Sequence, residues 1–291
     1  MTGSTSPFVL VMSGPKKATG NFNIAVAPRF VPDFNGDEKT DLVWQHDGTG
    51  QIAAWFMDGT TLIESTFLNP GQVADTRWKI VGTADFNADD KSDLVWQHAT
   101  TGQIGVWLMN GINLMTALLF TPSAVPDTTW KIVTIGDFNG DGQPDLVWQR
   151  DGTGEVGVWF MNVTSLISAA FFNPGQEPDT NWKIVGAGDF NGDGKPDLVW
   201  QHLETGDIKV WWMNGTDRIA EVAFNPSQVF DTNWKVAGVG DLNGDWRSDL
   251  IWEHALDGRI AVWLMNGIDL IAAPLFNPSE ASDLQWRIRN R

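Results

Sequence analysis

The sequence predicts an all-β fold: a five-bladed β-propeller with four antiparallel strands per blade, its ring closed by the C-terminal strand. Three observations lead there: a 52-residue repeat, a tryptophan pattern that obeys it, and short strand signals separated by tight turns with no helical periodicity. Asp-Phe-Asn begins at Asp33, Asp85, Asp137 and Asp189, and Asp-Leu-Asn begins at Asp241, each 52 residues after the last. The chain has 17 Trp and no Tyr. One set is Trp44, Trp96, Trp148, Trp200 and Trp252, a second Trp55, Trp107, Trp159, Trp211 and Trp263, a third Trp78, Trp130, Trp182, Trp234 and Trp286. Only Trp212 and Trp246 stand outside the pattern.

Within one unit, Trp182-Lys-Ile-Val-Gly reads as a first strand, followed by an acidic loop from Asp189 to Asp197. Leu198-Val-Trp-Gln is a second strand, turned at Glu204-Thr-Gly. Ile208 to Met213 alternates as a third strand and stops at Asn214-Gly215, a strong hairpin signal. A weaker fourth strand runs from Arg218 to Phe224 and is expected to close at Asn225-Pro226. At the chain's end, Trp286 to Arg291 copies a first strand and stops before another acidic loop would begin. The same register near the N terminus, Val26 to Val31, lacks the Trp and carries Pro28, which argues against a central strand. The C-terminal strand is therefore expected to complete the first blade, leaving no open sheet edge. Residues 33–291 form the propeller on this reading, and residues 1–32 are an N-terminal appendage.

Composition narrows the function. With 19 Lys+Arg against 36 Asp+Glu, the formal charge is -17. A nucleic-acid backbone binder needs clustered positive charge, so nucleic acid is not an expected partner. There is no cysteine, which excludes disulfides, thiolate metal sites and a cysteine nucleophile. The early apolar run Phe8 to Met12 is too short to span a membrane and poorly framed as a signal peptide.

The acidity is concentrated in the repeated loops. Positions 1, 3, 5 and 9 are Asp, Asn, Asp and Asp in every copy. They are Asp33, Asn35, Asp37 and Asp41; Asp85, Asn87, Asp89 and Asp93; Asp137, Asn139, Asp141 and Asp145; Asp189, Asn191, Asp193 and Asp197; and Asp241, Asn243, Asp245 and Asp249. Oxygen side chains at alternate positions, closed by a final carboxylate, suit a hard cation, and up to five Ca²⁺ are expected. Position 12 is a Trp rather than the bidentate Glu of an EF-hand, and a strand follows instead of a helix. Asp, Asn and Gly also favour turns, but a turn alone does not require so many mutually repelling carboxylates. Gly at position 6 gives way to Glu38, Asp90 and Trp246, so those loops are expected to be weaker or distorted.

This loop, set between the first two strands of a Trp-rich blade, resembles the FG-GAP/VCBS repeats of integrin-type propellers over residues 33 to 291. The resemblance implies calcium-binding propeller blades. Its members include extracellular adhesion modules and propeller lectins with sugar sites between blades, often on seven-bladed rings.

On the opposite face the repeat aligns a second polar set. His46, His98, Arg150, His202 and His254 share one register, following Gln45, Gln97, Gln149, Gln201 and Glu253. The inter-blade connections supply Asp75, Asp127, Asp179, Asp231 and Asp283. Carboxylate, imidazole and an indole face are what a neutral sugar needs, and multivalency would raise apparent affinity for dense glycans. The same residues could instead fasten each blade's corner, and the Trp residues could be core. The leading expectation is a calcium-stabilised, non-catalytic carbohydrate-binding module with sites between blades, its partners glycans or glycoproteins. A protein-interaction or adhesion module is the alternative. An enzyme is less expected, because polar groups are spread evenly over the copies; Arg150, Glu253, Trp212, Trp246 and Lys209 break the symmetry without forming a known motif. Modest calcium affinity would suit an extracellular or cell-surface location.

Overall fold

The computed structural model describes residues 32–281 and 283–291. The expected appendage over residues 1–32 lies outside them except for Pro32. The described residues contain 21 β-strands and no helix. Trp182–Gly188, Asp197–His202, Asp207–Asn214 and Asp217–Gln228 pair antiparallel in that order, forming one blade. The blade that begins at Trp78 and the one that begins at Trp130 repeat the same order. In the unit that begins at Trp234 the outer strand is interrupted, as Asp269–Ala272 and Leu275–Glu280, where Pro274 replaces a residue able to donate a ladder bond. Leu42–His46, Gln51–Asp58 and Thr61–Gln72 also pair in sequence, and Trp286–Ile288 lies antiparallel to Leu42–His46 with Trp44 opposite Ile288.

The burial pattern explains the sequence. Every residue of the second strand Asp197–His202 is buried, so it reads as a continuous run without alternation. First strands pack closely against their neighbours. A Cβ on Gly186 would come within 2.5 Å of Val239, a residue of the next first strand. Trp44, Trp96, Trp148, Trp200 and Trp252 are buried among the sheets, each contributing roughly 2–3 kcal/mol of apolar burial.

The outer strands depart from expectation. They run on through the Asn-Pro pair, to Gln228 in the Lys209 unit, instead of stopping there. The reason is a link to the next unit: Asn225 N–H donates to Ile268 O at 2.9 Å and pairs in parallel with Asp269. The same link joins Asn69 to Asn113, Thr121 to Ser165 and Asn173 to Asp217, and it joins Asn277 to Thr61.

Candidate functional site

Each acidic loop is organised by its own side chains. The position-9 carboxylate is fully buried and accepts two backbone N–H groups. For Asp41 these are Phe34 N at 2.8 Å and Met57 N at 3.0 Å. Asp93, Asp145, Asp197 and Asp249 make the same pair of bonds. They thereby tie the loop to the third strand of the blade. Burial pushes all five carboxyls up to about 7, against the lowering effect of those N–H groups, and the position-1 and position-5 carboxylates push them further.

The remaining donors close the loop on itself. Asp33 accepts from Gly36 N at 2.7 Å and Glu38 N at 2.8 Å; Asp137, Asp189 and Asp241 repeat this, and Asp85 accepts from Asp90 N at 2.7 Å. Asn35, Asn87, Asn139, Asn191 and Asn243 each accept from the position-5 N–H. Asp37, Asp89, Asp141, Asp193 and Asp245 each accept from the N–H two residues on. The replaced glycines do not change the turn. Position 6 has φ of 65° at Glu38, 62° at Asp90 and 70° at Trp246, beside 82° at Gly142 and 81° at Gly194. These side chains accept a left-handed backbone at a cost of about 1–2 kcal/mol each.

Among the described residues no group of three or more His, Cys, Asp or Glu side chains is gathered so as to hold a metal ion. Loop oxygens are turned onto backbone N–H groups instead. The donor chemistry nevertheless fits a hard cation: three carboxylates and an amide oxygen lie within nine residues, close enough to oppose one another's ionisation.

On the other face the His and Asp of each unit do meet. His Nε2 lies 3.1 Å from Asp283 at His46, 3.3 Å from Asp75 at His98, 3.0 Å from Asp179 at His202 and 3.1 Å from Asp231 at His254. Arg150 reaches Asp127 at 2.8 Å in the fifth copy. The imidazoles are buried, and Nδ1 of His46, His98 and His202 accepts a Thr N–H at 3.0–3.1 Å, which places the proton on Nε2. His254 differs, because Asp257 stands in place of that Thr and lies 2.6 Å from Nδ1. The Trp that opens each of these four units packs against its imidazole at 5.0–5.2 Å. What remains open to solvent is the Asp, about half exposed in most copies. The Asp75 carboxyl is held well below the usual range by Arg77, Asp127 is lowered by Thr129 and then Arg150, and Asp179, Asp231 and Asp283 by loop N–H groups and then the His.

The preceding Gln fastens one unit to the next, as one reading of the sequence had it, but at the first strand and not at the Asp-Thr corner. Gln201 donates to Trp234 O at 2.9 Å and accepts from Val236 N at 3.1 Å, both on the first strand of the next unit. Gln45, Gln97 and Gln149 do the same. Glu253 cannot donate, and the missing donor is Arg287. Its guanidinium bonds Glu253 at 2.8 Å and Trp286 O at 3.2 Å, while Ile288 N donates to Glu253 at 3.2 Å.

Also unforeseen is a hollow on each of three blades, walled by the three repeat tryptophans. Trp130, Trp148 and Trp159 with Phe171 enclose about 290 Å³. Trp44, Trp55, Trp286 and Phe67 enclose about 280 Å³, and Trp78, Trp96 and Trp107 with Leu119 about 250 Å³. The indole N–H groups of Trp44, Trp96 and Trp148 are buried without a hydrogen-bond partner. A larger cavity, about 510 Å³, opens where the loops at Asp137, Asp189 and Asp241 converge near Thr40.

A model of the FG-GAP-like repeat matches residues 33–96, 85–148, 137–200 and 189–252, each match running from one acidic loop to the second-strand Trp of the next unit. Protein linkin of Caenorhabditis elegans is 31% identical over 101 residues, 32% of this chain and 16% of linkin, so the chain spans only a small part of that relative. Among solved structures, a protein of unknown function from Bacteroides caccae is similar with TM-score 0.42 and 12% identity, over 80% of this chain and 72% of that one. Virginiamycin B lyase from Staphylococcus aureus gives TM-score 0.42 and 13% identity over 87% and 70%.

Proposed function

This chain belongs to the FG-GAP-like repeat family, and from that premise we propose that it is a calcium-stabilised, non-catalytic, multivalent binding module with carbohydrate as its ligand class. The observation that carries the reading is the recurrence, in one register, of tryptophan-walled hollows, each with a partly exposed Asp three residues before one wall. An indole face takes the C–H face of a pyranose, and a carboxylate at the rim accepts from hydroxyls. The buried imidazoles position that Asp and do not themselves reach a ligand. A ring of five blades, closed by Trp286–Ile288, is part of the proposal. The pairing of Trp44 with Ile288 and the outer link from Asn277 to Thr61 support it.

Calcium belongs to the same reading. Asp, Asn and Asp at loop positions 1, 3 and 5 and the Asp at position 9 would hold the ion, which would neutralise carboxylates that now oppose one another. Modest affinity fits an extracellular or cell-surface setting, where glycans and glycoproteins are the partners. A glycan array probed with and without calcium tests the proposal; no binding to any glycan at high protein concentration refutes it. One observation favours the alternative, a protein-interaction module: the outer strands expose Ile63, Met115, Ile167, Ile219 and Ile271, each at least 60% accessible. A protein partner engaging that belt would be insensitive to competing free sugars.

A further inference from the structure

One blade shows what kind of group its hollow accepts. At the position held by Ala53, Gly105 and Gly157 in the open copies, the fourth copy carries Lys209. Its side chain is buried, with the ammonium 4.2 Å from the Trp182 ring centre and 5.9 Å from those of Trp200 and Trp211. The three tryptophans that wall the other hollows are here filled by an alkylammonium from the chain itself. Its N–H groups are satisfied by Glu177 at 2.8 Å and Glu221 at 3.4 Å. In the open hollows the counterparts of Glu177 are Val73, Val125 and Ala281, and those of Glu221 are Ser65, Ala117 and Ala169.

We infer that the three open hollows bind a quaternary ammonium group, and that Lys209 is a built-in occupant of the fourth. The aromatic walls attract a cation through their faces. A primary ammonium would lack there the two carboxylates that pair with Lys209, only Ser65 offering an oxygen at those positions, whereas a quaternary one has no N–H donors to satisfy. The formal charge of -17 raises the local concentration of any cation. Cations already rest on these indoles elsewhere: the Arg259 guanidinium lies 5.4 Å from the Trp234 ring and Arg218 lies 4.6 Å from Trp211. This inference rests on the reading of the hollows as ligand sites, but it names a different seated group from a neutral sugar.

The test titrates the folded protein with choline, with 3,3-dimethylbutanol as its neutral isostere and with glucose, following heat and tryptophan fluorescence at constant ionic strength. Choline is expected to saturate near three per chain and to bind at least about ten-fold more tightly than the isostere. Equal binding of choline and the isostere would make the hollows merely apolar and overturn the cation. Saturation by glucose without choline would overturn it too, leaving the carbohydrate reading intact. Binding of none of the three overturns the inference, while the carbohydrate reading is decided separately by the glycan array. In a Lys209→Gly variant, n-butylammonium is expected to raise the melting temperature, while n-pentanol and sodium do not. A variant stabilised equally by the alcohol counts against the inference, and should the variant not fold, the wild-type titration decides alone.

Discussion

Exchange of Glu253 and Arg287 offers a sharp test of how the C-terminal strand is held. In four units a Gln both donates to and accepts from the next first strand, and the residue after the strand's Trp is Lys79, Lys131, Lys183 or Lys235. Against the C-terminal strand the pair is Glu253 and Arg287, and both differ from the repeat. Glu253→Gln alone would turn an amide nitrogen or leave an uncharged oxygen toward a guanidinium that lies 2.8 Å away and is 29% exposed. Losing that charge-assisted bond and stranding the cation should cost about 2–3 kcal/mol. Arg287→Lys alone removes the donor to Trp286 O and leaves Glu253, whose pKa burial already raises, with less compensation; about 2 kcal/mol is expected. The double variant recreates the arrangement of the other four units and should lie within about 1 kcal/mol of the parent. The coupling is then about 3 kcal/mol, read by urea unfolding followed through tryptophan fluorescence. For a chain this size Glu253→Gln alone should lower the melting temperature by about 3–5 °C. Additive singles, with the double variant the least stable of the three, would refute the reasoning and the clasp it describes.

Four further outcomes are expected. Chelation at pH 7.5 should lower the melting temperature. In chelator the five position-9 carboxyls, raised from 3.8 to about 7, favour the folded state fully below pH 3.8, and that contribution is lost as pH rises through 7. Calorimetry in chelator should therefore show stability rising from pH 8 to 5, and a flat profile would contradict it. Ala88→Gly should raise stability by about 0.5–1 kcal/mol, because Ala88 has φ of 59° where the other loops have Gly; a loss measured by denaturant midpoint would count against the strain. Asn290→Ala should cost about 2–3 kcal/mol, since its buried amide accepts from Val43 N at 2.9 Å and donates to Asp41 O at 2.6 Å; an unchanged melting curve would show that the C-terminal residues do not engage.

The strands, their order and the acidic loops were legible because they are local: a Trp every 52 residues and Asn-Gly turns fix them without reference to neighbours. What joins one unit to the next was not. Gln201 meets Val236 at a separation of 35 residues, and no period within the unit announces that contact. Lys209 is the instructive miss. Its departure from Ala and Gly was visible as asymmetry, yet only the packing of three indoles around its ammonium gives it meaning. The His residues show the limit from the other side, because repetition displays a binding group and a corner staple identically. The ring nitrogens taken up by Asp and Thr distinguish their packing role.

The orientation of the last strand has a mechanical consequence. Because Trp286–Ile288 runs antiparallel to Leu42–His46, residues 32 and 291 emerge from the same end of that ladder. A stretching force applied there would load its hydrogen bonds one after another, as in a zipper, and not all at once in shear. That ladder would part under low tension, with Asn290 and Arg289 released first, while the remaining sheets stayed whole.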